Sequence, residues 1–302
     1  MLHKIKDKAR RLWFDWRCQD ILSLPPFASN QDALTIVSMV SHKDILMYLL
    51  AVKSLCHRLR RGQVIVVNDG SLTVDDALLL SDHLPGSRLL KAEELKSSYC
   101  PKGGTWERLI LISELAEGSY VIQIDSDTLT LNDIKEVEIS IDTNTSFTLA
   151  TGMGRAISSM GEVCAQMRRI QDNHIQVVAE QNFCKLTNYD RLRYVRGCSG
   201  FAGFGKGSLS RAKLESLSDE MRCILKEKWT QWGSEQVTSN ICIANSPQAT
   251  VLPYPKYANF TPELLWRESI FLHFIGTYRF QKGVYIKKAR EVASQIGDAH
   301  DR

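Results

Sequence analysis

The chain lacks several features that would assign it to a class at once. None of its 302 residues lies in a run of about eighteen consecutive apolar residues, the length a membrane-spanning helix needs, and the N-terminus has no apolar signal-peptide core. No internal repeat or low-complexity tract is visible. With 44% hydrophobic residues, the chain is instead predicted to fold around a substantial core.

Paired cysteines and a strong charge excess are missing as well. The eight cysteines are scattered, with no CxxC pair, so buried free thiols in a reducing cytoplasm are expected. The net charge is only +4, and basic residues mostly alternate with acidic ones. Nucleic acid is therefore not expected as a partner, whereas an anionic small molecule would suit this balance.

The first thirty residues predict an amphipathic helix and a linker. One apolar stripe opposes a basic face, and its members are Leu2, Ile5, Ala9, Leu12, Trp13 and Trp16. Packing of this stripe onto the body of the protein is the favoured interpretation, since most amphipathic helices face a core. The alternative is peripheral contact with an anionic membrane, at the inner face in a bacterial setting.

Apolar strands alternate with helices from residue 34 onward. Runs of strand length at 34–39, 63–68 and 119–124 are separated by helical patterns, including a helix at about 105–116. A long helical stretch is also predicted at about 156–180. Strands with no polar face are typical of a mostly parallel sheet covered by helices on both sides, so the fold class is α/β and Rossmann-like. Ligands of such sheets bind beyond the carboxyl ends of the strands. Ser38, Asp69, Asp125 and Asp127 are therefore expected on one rim.

The strand that precedes Asp125 and Asp127 ends on two carboxylates one residue apart. Carboxylate oxygens are the ligands that Mg²⁺ and Mn²⁺ prefer, so the pair indicates a metal site. A turn that merely follows a strand explains the pair equally well, because Asp and Ser are common turn residues. The pair alone does not decide between these interpretations.

Three segments together resemble the GT-A glycosyltransferases, which use nucleotide-sugar donors. They are NDGS at 68–71, IDSDT at 124–128 and HFIG at 273–276. The motif order is most similar to the retaining family that contains glycogenin and the bacterial lipopolysaccharide galactosyltransferases. CSGFAGF at 198–204 and SEQ at 234–236 resemble two further motifs of that family. Phe280 and Gln281 depart from its proline and tryptophan, and NDGS is closer to the inverting enzymes. The glycine-rich segment at 198–204 is expected to form a loop that a sugar ring can approach, with a plain glycine-rich turn as the alternative.

The resemblance implies a role for each matching residue. Asp125, Asp127 and His273 would hold Mn²⁺ or Mg²⁺, and Glu235 and Gln236 would lie beneath the transferred sugar. Donor-binding residues are implied along the chain, and they are Val37, Ser38, Asp69, Arg108, Gly276, Arg279 and Lys282. The transferase domain would span 31–285, with a nucleotide-binding half at 31–130, an acceptor and sugar half at 131–285, and a polar C-terminal helix and tail at 286–302.

The expected donor is a nucleotide diphosphate sugar, with UDP favoured. The acceptor, a glycan, a lipid-linked molecule or a protein, stays open, as does the choice between retention and inversion. Cell-surface glycan synthesis in the bacterial cytoplasm or at the inner membrane is the expected setting. Trp229 and Trp232 are candidates for stacking on an acceptor sugar, with a core position as the alternative.

Two other functions fit parts of the pattern. An apolar strand followed by DxDxT also occurs in haloacid dehalogenase-type phosphatases, in which Asp125 and Asp127 would be nucleophile and acid-base partner. In those enzymes this strand comes first, whereas here a whole α/β unit precedes it. A non-catalytic nucleotide-sugar-binding protein on the same scaffold is the third interpretation.

Overall fold

The computed structural model describes residues 2–30 and 32–300, and among these the side chains of all but residues 2–7, 277 and 300. The outermost residues of the predicted N-terminal segment and C-terminal tail, 1, 301 and 302, lie outside the described residues. The helices are α1 (Leu2–Arg17), α2 (Ile45–Leu59), α3 (Val74–His83), α4 (Trp106–Leu115), α5 (Lys135–Asp142), α6 (Met160–Met167), α7 (Ile175–Asn182), α8 (Arg211–Leu225), α9 (Ser234–Ala244) and α10 (Val284–His300).

The strands are short, apart from those at the centre of the main sheet. They are β1 (Leu34–Val40), β2 (Gln63–Asn68), β3 (Arg88–Lys91), β4 (Tyr120–Ile124), β5 (Thr128–Thr130), β6 (Phe147–Leu149), β7 (Ser158–Ser159), β8 (Arg193–Tyr194), β9 (Cys198–Phe204), β10 (Thr250–Val251), β11 (Tyr257–Asn259) and β12 (Phe271–His273). The main sheet has the order β10-β6-β9-β4-β1-β2-β3, and only β9 runs antiparallel to its neighbours. The predicted α/β class with a mostly parallel sheet is confirmed.

Both faces of this sheet are buried, as its continuous apolar strands require. Along β2, Val64 and Val66 point into one hydrophobic core, while Ile65 and Val67 point into another on the opposite face. Helices α1, α2 and α10 contribute to the first core, and α4 and α6 to α9 contribute to the second. The carboxyl ends of β1, β2 and β4 therefore meet at one rim between two layers of helices.

Three local predictions are corrected. The strand β1 continues to Val40, which pairs with Asn68, so Val37 and Ser38 lie buried inside the sheet rather than on its rim. The glycine-rich segment at 198–204 is the strand β9 and not a loop. A continuous helix predicted at about 156–180 is divided into α6 and α7, because His174 caps a new helix by accepting from the Gln176 N–H.

The prediction that the apolar stripe of α1 packs onto the body is wrong for every stripe residue whose side chain is described. Ala9 is exposed, and Leu12, Trp13 and Trp16 are 60%, 53% and 59% exposed. Phe14 is buried instead, on the opposite side of the helix. The side chains of Leu2 and Ile5 lie outside the described set. None of the described helices combines the length and the apolar character needed to cross a membrane.

Candidate active site

The two strand-end aspartates lie in a short turn between β4 and β5. The Asp125 N–H donates to the Gly200 carbonyl of the neighbouring strand, and the Thr128 hydroxyl donates to the Asp125 carbonyl at 2.9 Å. Asp127 is 7% exposed, while the Asp125 side chain remains about a third exposed at 30%. Both carboxylates are thus fixed at the rim, with Asp127 deeper than Asp125.

The small sheet β11-β12-β5 carries His273 to these aspartates. In the antiparallel pairing of β12 with β5, His273 lies opposite Thr128, the residue after Asp127. The His273 Nε2 atom lies 3.1 Å from Asp127 Oδ1 and 3.6 Å from Asp125 Oδ2. A Cβ at Gly200 would lie 2.1 Å from the imidazole, so this position of β9 has room only for glycine. The glycine makes space for a histidine rather than for a sugar ring.

The three side chains fit a divalent cation. One ligand atom from each of Asp125, Asp127 and His273 lies within 4.8 Å of the others, and two hard oxygens with one imidazole nitrogen suit Mn²⁺ or Mg²⁺. Asn259 Oδ1 lies 3.0 Å from His273 Nδ1, in the strand next to β12. Binding of a metal would displace the Nε2 proton of His273, and an imidazole whose Nδ1 N–H donates to this oxygen is the tautomer that would then ligate the ion.

Arg279 adds positive charge beside the same carboxylate. Its Nη2 atom lies 2.5 Å from Asp127 Oδ2, and its Nη1 atom lies 3.9 Å from Asp44. Burial alone would raise the pKa of Asp127, but His273 and Arg279 hold that pKa well below its ordinary value. For His273, burial lowers the pKa and the Asp127 carboxylate raises it, with the net result well above the ordinary value. This end of the site keeps its carboxylate ionised.

Arg108 joins the metal end of the site to a second buried carboxyl. This arginine, on α4, is 2% exposed and donates from Nη1 to Asp125, while its Nη2 lies 3.7 Å from Glu235 Oε1. Burial raises the pKa of Glu235 to about 7, although Arg108 works in the opposite direction and Asp125 adds to the rise. The Arg108 guanidinium therefore pairs with two carboxyl groups, those of Asp125 and Glu235.

Glu235 and Gln236 do not face the same space. They are consecutive residues near the start of α9, and consecutive helical side chains diverge by about 100°. Gln236 lines the cavity described below, whereas Glu235 is 2% exposed behind Arg108 and accepts from the Ser199 hydroxyl at 3.4 Å. Only Gln236 of this pair reaches the cavity wall.

A chain of hydrogen bonds runs from Gln236 into the core. Gln236 Nε2 donates to Gln176 at 3.4 Å, Gln176 Nε2 donates to the Tyr194 hydroxyl at 3.1 Å, and that hydroxyl donates to Glu180 at 2.9 Å. The chain leaves Gln236 Oε1 to accept from the Ser199 N–H at 3.1 Å. Burial raises the pKa of Glu180 to about 7 despite Arg196 at 3.3 Å.

A cavity of about 700 Å³ opens above these groups, large enough for a nucleotide-sized ligand. Its wall includes most of the residues singled out from the sequence: Asp69, Arg108, Asp125, Asp127, Gln236, His273, Gly276 and Arg279. Gly276 has a φ of 49° and is exposed to the cavity. Trp232 is 74% exposed at the cavity, whereas Trp229 is fully buried in the core.

Three predicted donor-binding residues lie elsewhere. Val37 and Ser38 are buried in the sheet, and Met39, Val40 and Ser41 reach the cavity in their place. The ammonium of Lys282 donates to the Pro262 carbonyl at 2.5 Å, and it is not among the residues that line the cavity.

Comparison with known proteins gives structural matches only. No protein-family model matches the chain, and no curated protein matches it significantly in sequence. The apo bifunctional glycosyltransferase WbbM is 12% identical, with a TM-score of 0.48, and the match covers 88% of this chain and 50% of WbbM. The chain thus spans half the length of that protein.

Two other solved structures show a similar degree of likeness. The apo glycosyltransferase GlyE of Streptococcus pneumoniae TIGR4 is 14% identical with a TM-score of 0.48, over 91% of this chain and 63% of GlyE. The galactosyltransferase LgtC, in complex with donor and acceptor sugar analogs, is 11% identical with a TM-score of 0.46. The match covers 86% of this chain and 95% of LgtC. All three matched structures are glycosyltransferases. At these identities and TM-scores the likeness gives this chain neither a substrate nor an activity.

Some residues of this site carried little signal in the sequence. Asn259 stands in a glycosylation-type sequon, and only its place at the end of β11, beside β12, reveals its contact with His273. Asp44 precedes α2 with no motif around it, yet it lines the cavity between Arg11 and Arg279. A search for polar residues at the end of each short strand would have found Asn259.

Proposed function

We propose that this protein is a metal-dependent GT-A glycosyltransferase that moves a hexose from a nucleotide diphosphate sugar to an acceptor hydroxyl. The observation that carries the proposal is the cluster of Asp125, Asp127 and His273, which opens onto a cavity of about 700 Å³ at the carboxyl ends of parallel strands. Ligands of open α/β sheets bind at this edge. We favour a UDP-sugar as the donor.

The metal end would hold the donor diphosphate. When bound to Asp125, Asp127 and His273, Mn²⁺ or Mg²⁺ supplies the positive charge that a departing diphosphate needs. Arg279 keeps Asp127 ionised and adds a second cation to the cavity wall. The exposed backbone of Gly276 lets a phosphate approach closely, and residues 39–41 with Asp69 would receive the nucleoside.

The sugar end would hold the reacting hexose above Gln236. The amide oxygen of Gln236 is fixed by the Ser199 N–H and its nitrogen by Gln176, so its orientation is set before a ligand arrives. Glu235 lies behind Arg108, which argues against a direct role as the base of an inverting reaction. We therefore propose transfer with retention, in which Gln236 faces the sugar and Glu235 positions Arg108.

The acceptor class and the location belong to the same proposal. Trp232, exposed beside the cavity, offers a flat apolar face for an acceptor sugar. We propose a glycan or lipid-linked acceptor rather than a protein, in bacterial cell-surface glycan synthesis. The expected location is the cytoplasm, with peripheral contact at the inner membrane through α1.

Thermal unfolding with nucleoside diphosphates and nucleotide sugars, each with and without Mn²⁺, tests the proposal. A ligand that binds only the folded state raises the midpoint, by an amount that grows with its concentration over its Kd. We expect a shift by one nucleoside diphosphate that requires Mn²⁺, and release of that diphosphate from its sugar. No shift with any of them, together with hydrolysis of a generic phosphate ester, would contradict the transferase and favour the phosphatase.

A further inference from the structure

Helix α1 turns its apolar stripe away from the protein. Its inner side is anchored by Phe14, whose ring lies 4.6 Å from that of Tyr285 and 5.9 Å from that of Phe280, centroid to centroid. Leu12, Trp13 and Trp16 lie on the opposite side and each exposes more than half of its surface. The packing of α1 therefore does not explain why these three positions are large and apolar.

Positive charge is concentrated on the same helix. The sequence of α1 contains six Lys and Arg and two Asp, an excess equal to the +4 of the whole chain, so the remaining residues are balanced. The guanidinium of Arg17 lies 5.7 Å from the Trp13 ring and 5.8 Å from the Trp16 ring. One cation therefore lies beside both exposed tryptophan rings.

A neighbouring groove extends this charged surface onto α10. It has a volume of about 850 Å³ and lies between Trp13 and Arg17 on one side and Ile286, Lys287 and Arg290 on the other. The Lys287 side chain is 66% exposed, and Arg290 is exposed as well. Glu291, which also lines the groove, is paired with Lys288 at 2.6 Å, so part of its charge is neutralised.

We infer that this surface, formed by Leu12, Trp13, Trp16, Arg17, Lys287 and Arg290, rests on an anionic lipid bilayer. The surface combines the outer side of α1 with the adjoining side of α10, and Trp is favoured where an apolar layer meets water. Basic side chains beside it complement anionic headgroups while their stems reach along the apolar layer. This contact gives the proposed membrane association its surface. Only the biological purpose of the contact rests on the proposed function, because binding to a bilayer does not require transfer of a sugar.

The same helix lies next to the cavity. Arg11 pairs with Asp44 at 2.5 Å, and Asp44 lines the cavity near Arg279. A bilayer against the outer side of α1 would bring the mouth of the cavity close to the headgroups. The acceptor class that fits this arrangement is a glycan carried on a lipid.

Co-sedimentation of the full chain with vesicles tests the inference without any nucleotide sugar. We expect binding to vesicles that contain phosphatidylglycerol, little binding to phosphatidylcholine alone, and weakening at high salt. The double variant Trp13→Ala and Trp16→Ala should bind about tenfold more weakly or worse, since it removes two large apolar side chains from the contact. Tyr189→Ala, at an exposed aromatic residue beside Gly161 of α6 on the other face of the sheet, should bind as the wild type does.

Two further measurements keep the outcomes distinct. Brominated lipid should quench tryptophan fluorescence in the wild type and much less in the double variant, whose circular dichroism and Mn²⁺-dependent nucleotide shift should be unchanged. Equal sedimentation of the double variant and the wild type would overturn the inference. So would a dimer in sedimentation velocity that the double variant abolishes, without vesicle binding, because the surface would then join two copies. Neither of these two contradicting results would test the proposed sugar transfer.

Discussion

The two ends of the candidate site bury carboxyl groups in opposite electrostatic settings. Asp127, at the metal end, faces two cationic side chains of its own, His273 and Arg279, and its pKa is held well below the ordinary value. Glu235, at the sugar end, lies near one cationic side chain, Arg108, which also pairs with Asp125. Burial raises the pKa of Glu235 to about 7. The number of cations per buried carboxyl thus decides which end stays charged.

This difference gives the two ends different tasks. The metal end is built to keep its oxygens ionised and ready to ligate a cation. The sugar end instead relies on hydrogen bonds, which fix the Gln236 amide through Ser199 and Gln176. Removing a group from the metal end should therefore affect activity more than removing one from the sugar end.

The largest effect is expected from Asp127→Ala. The substitution removes a metal ligand and leaves Arg279 and His273 without their shared anion. We expect transfer to fall by about 10³-fold or more and the Mn²⁺-dependent nucleotide shift to disappear. Asp133→Ala, at a side chain 68% exposed, is the matched control and should leave both unchanged. Unchanged Mn²⁺-dependent binding in Asp127→Ala would contradict the metal assignment.

Arg108→Met should chiefly affect stability, because it leaves two carboxyl groups without their cation. Breaking a buried ion pair from one side costs about 3–5 kcal/mol of unfolding free energy. Adding Glu235→Gln should restore part of this loss, since the neutral amide no longer needs a cation. Denaturant unfolding of both single variants and the double variant measures the coupling. If the losses of unfolding free energy in the two single variants simply add up in the double variant, Arg108 and Glu235 do not interact.

Glu235→Gln alone should reduce turnover by about tenfold to a hundredfold, less than the loss of a group in contact with the reacting atoms. The reason is that Glu235 acts through Arg108 and Ser199 rather than on the sugar. KM for the donor and the Mn²⁺-dependent shift should stay close to wild type. Full activity would remove Glu235 from the site, and a drop as large as that of Asp127→Ala would favour a direct role.

Glu180, at the inner end of the hydrogen-bond chain, should affect the pH dependence of stability rather than turnover. Its carboxyl has an ordinary pKa of 4.5 in the unfolded chain and about 7 in the fold, where burial favours the neutral form. The stabilisation is complete below pH 4.5 and is lost as the pH rises through 7, by up to about 3 kcal/mol. Unfolding free energy measured from pH 5 to pH 8 should fall less steeply in Glu180→Gln. An equal slope in both proteins would contradict a neutral Glu180.

The sequence was most informative where one local pattern fixes both structure and chemistry. The mostly apolar run VIQI before Asp125 predicts a buried strand whose end must lie at the sheet rim, and the carboxylates are found there. HFIG, identified by its resemblance to a family motif, likewise lies where the strand β12 ends at His273. Both signals lie within a single segment.

Features that depend on pairing between distant segments were not predictable in this way. The contact of Asn259 with His273 is set by the register of β11 with β12, and the role of Gly200 is set by an imidazole 73 residues later in the chain. The orientation of α1 followed from Phe14 and not from the longer apolar stripe, since helical periodicity identifies two faces without saying which one is buried.

Electron paramagnetic resonance of Mn²⁺ tests the central claim most directly. With the preferred nucleoside diphosphate present, the wild type should remove the signal of free Mn²⁺ in proportion to the protein added. Asp127→Ala should leave that signal at the level of a protein-free sample containing the same nucleotide, while Asp133→Ala should behave as the wild type. Equal loss of signal in Asp127→Ala, or no loss in the wild type, would contradict a metal centre at Asp125, Asp127 and His273.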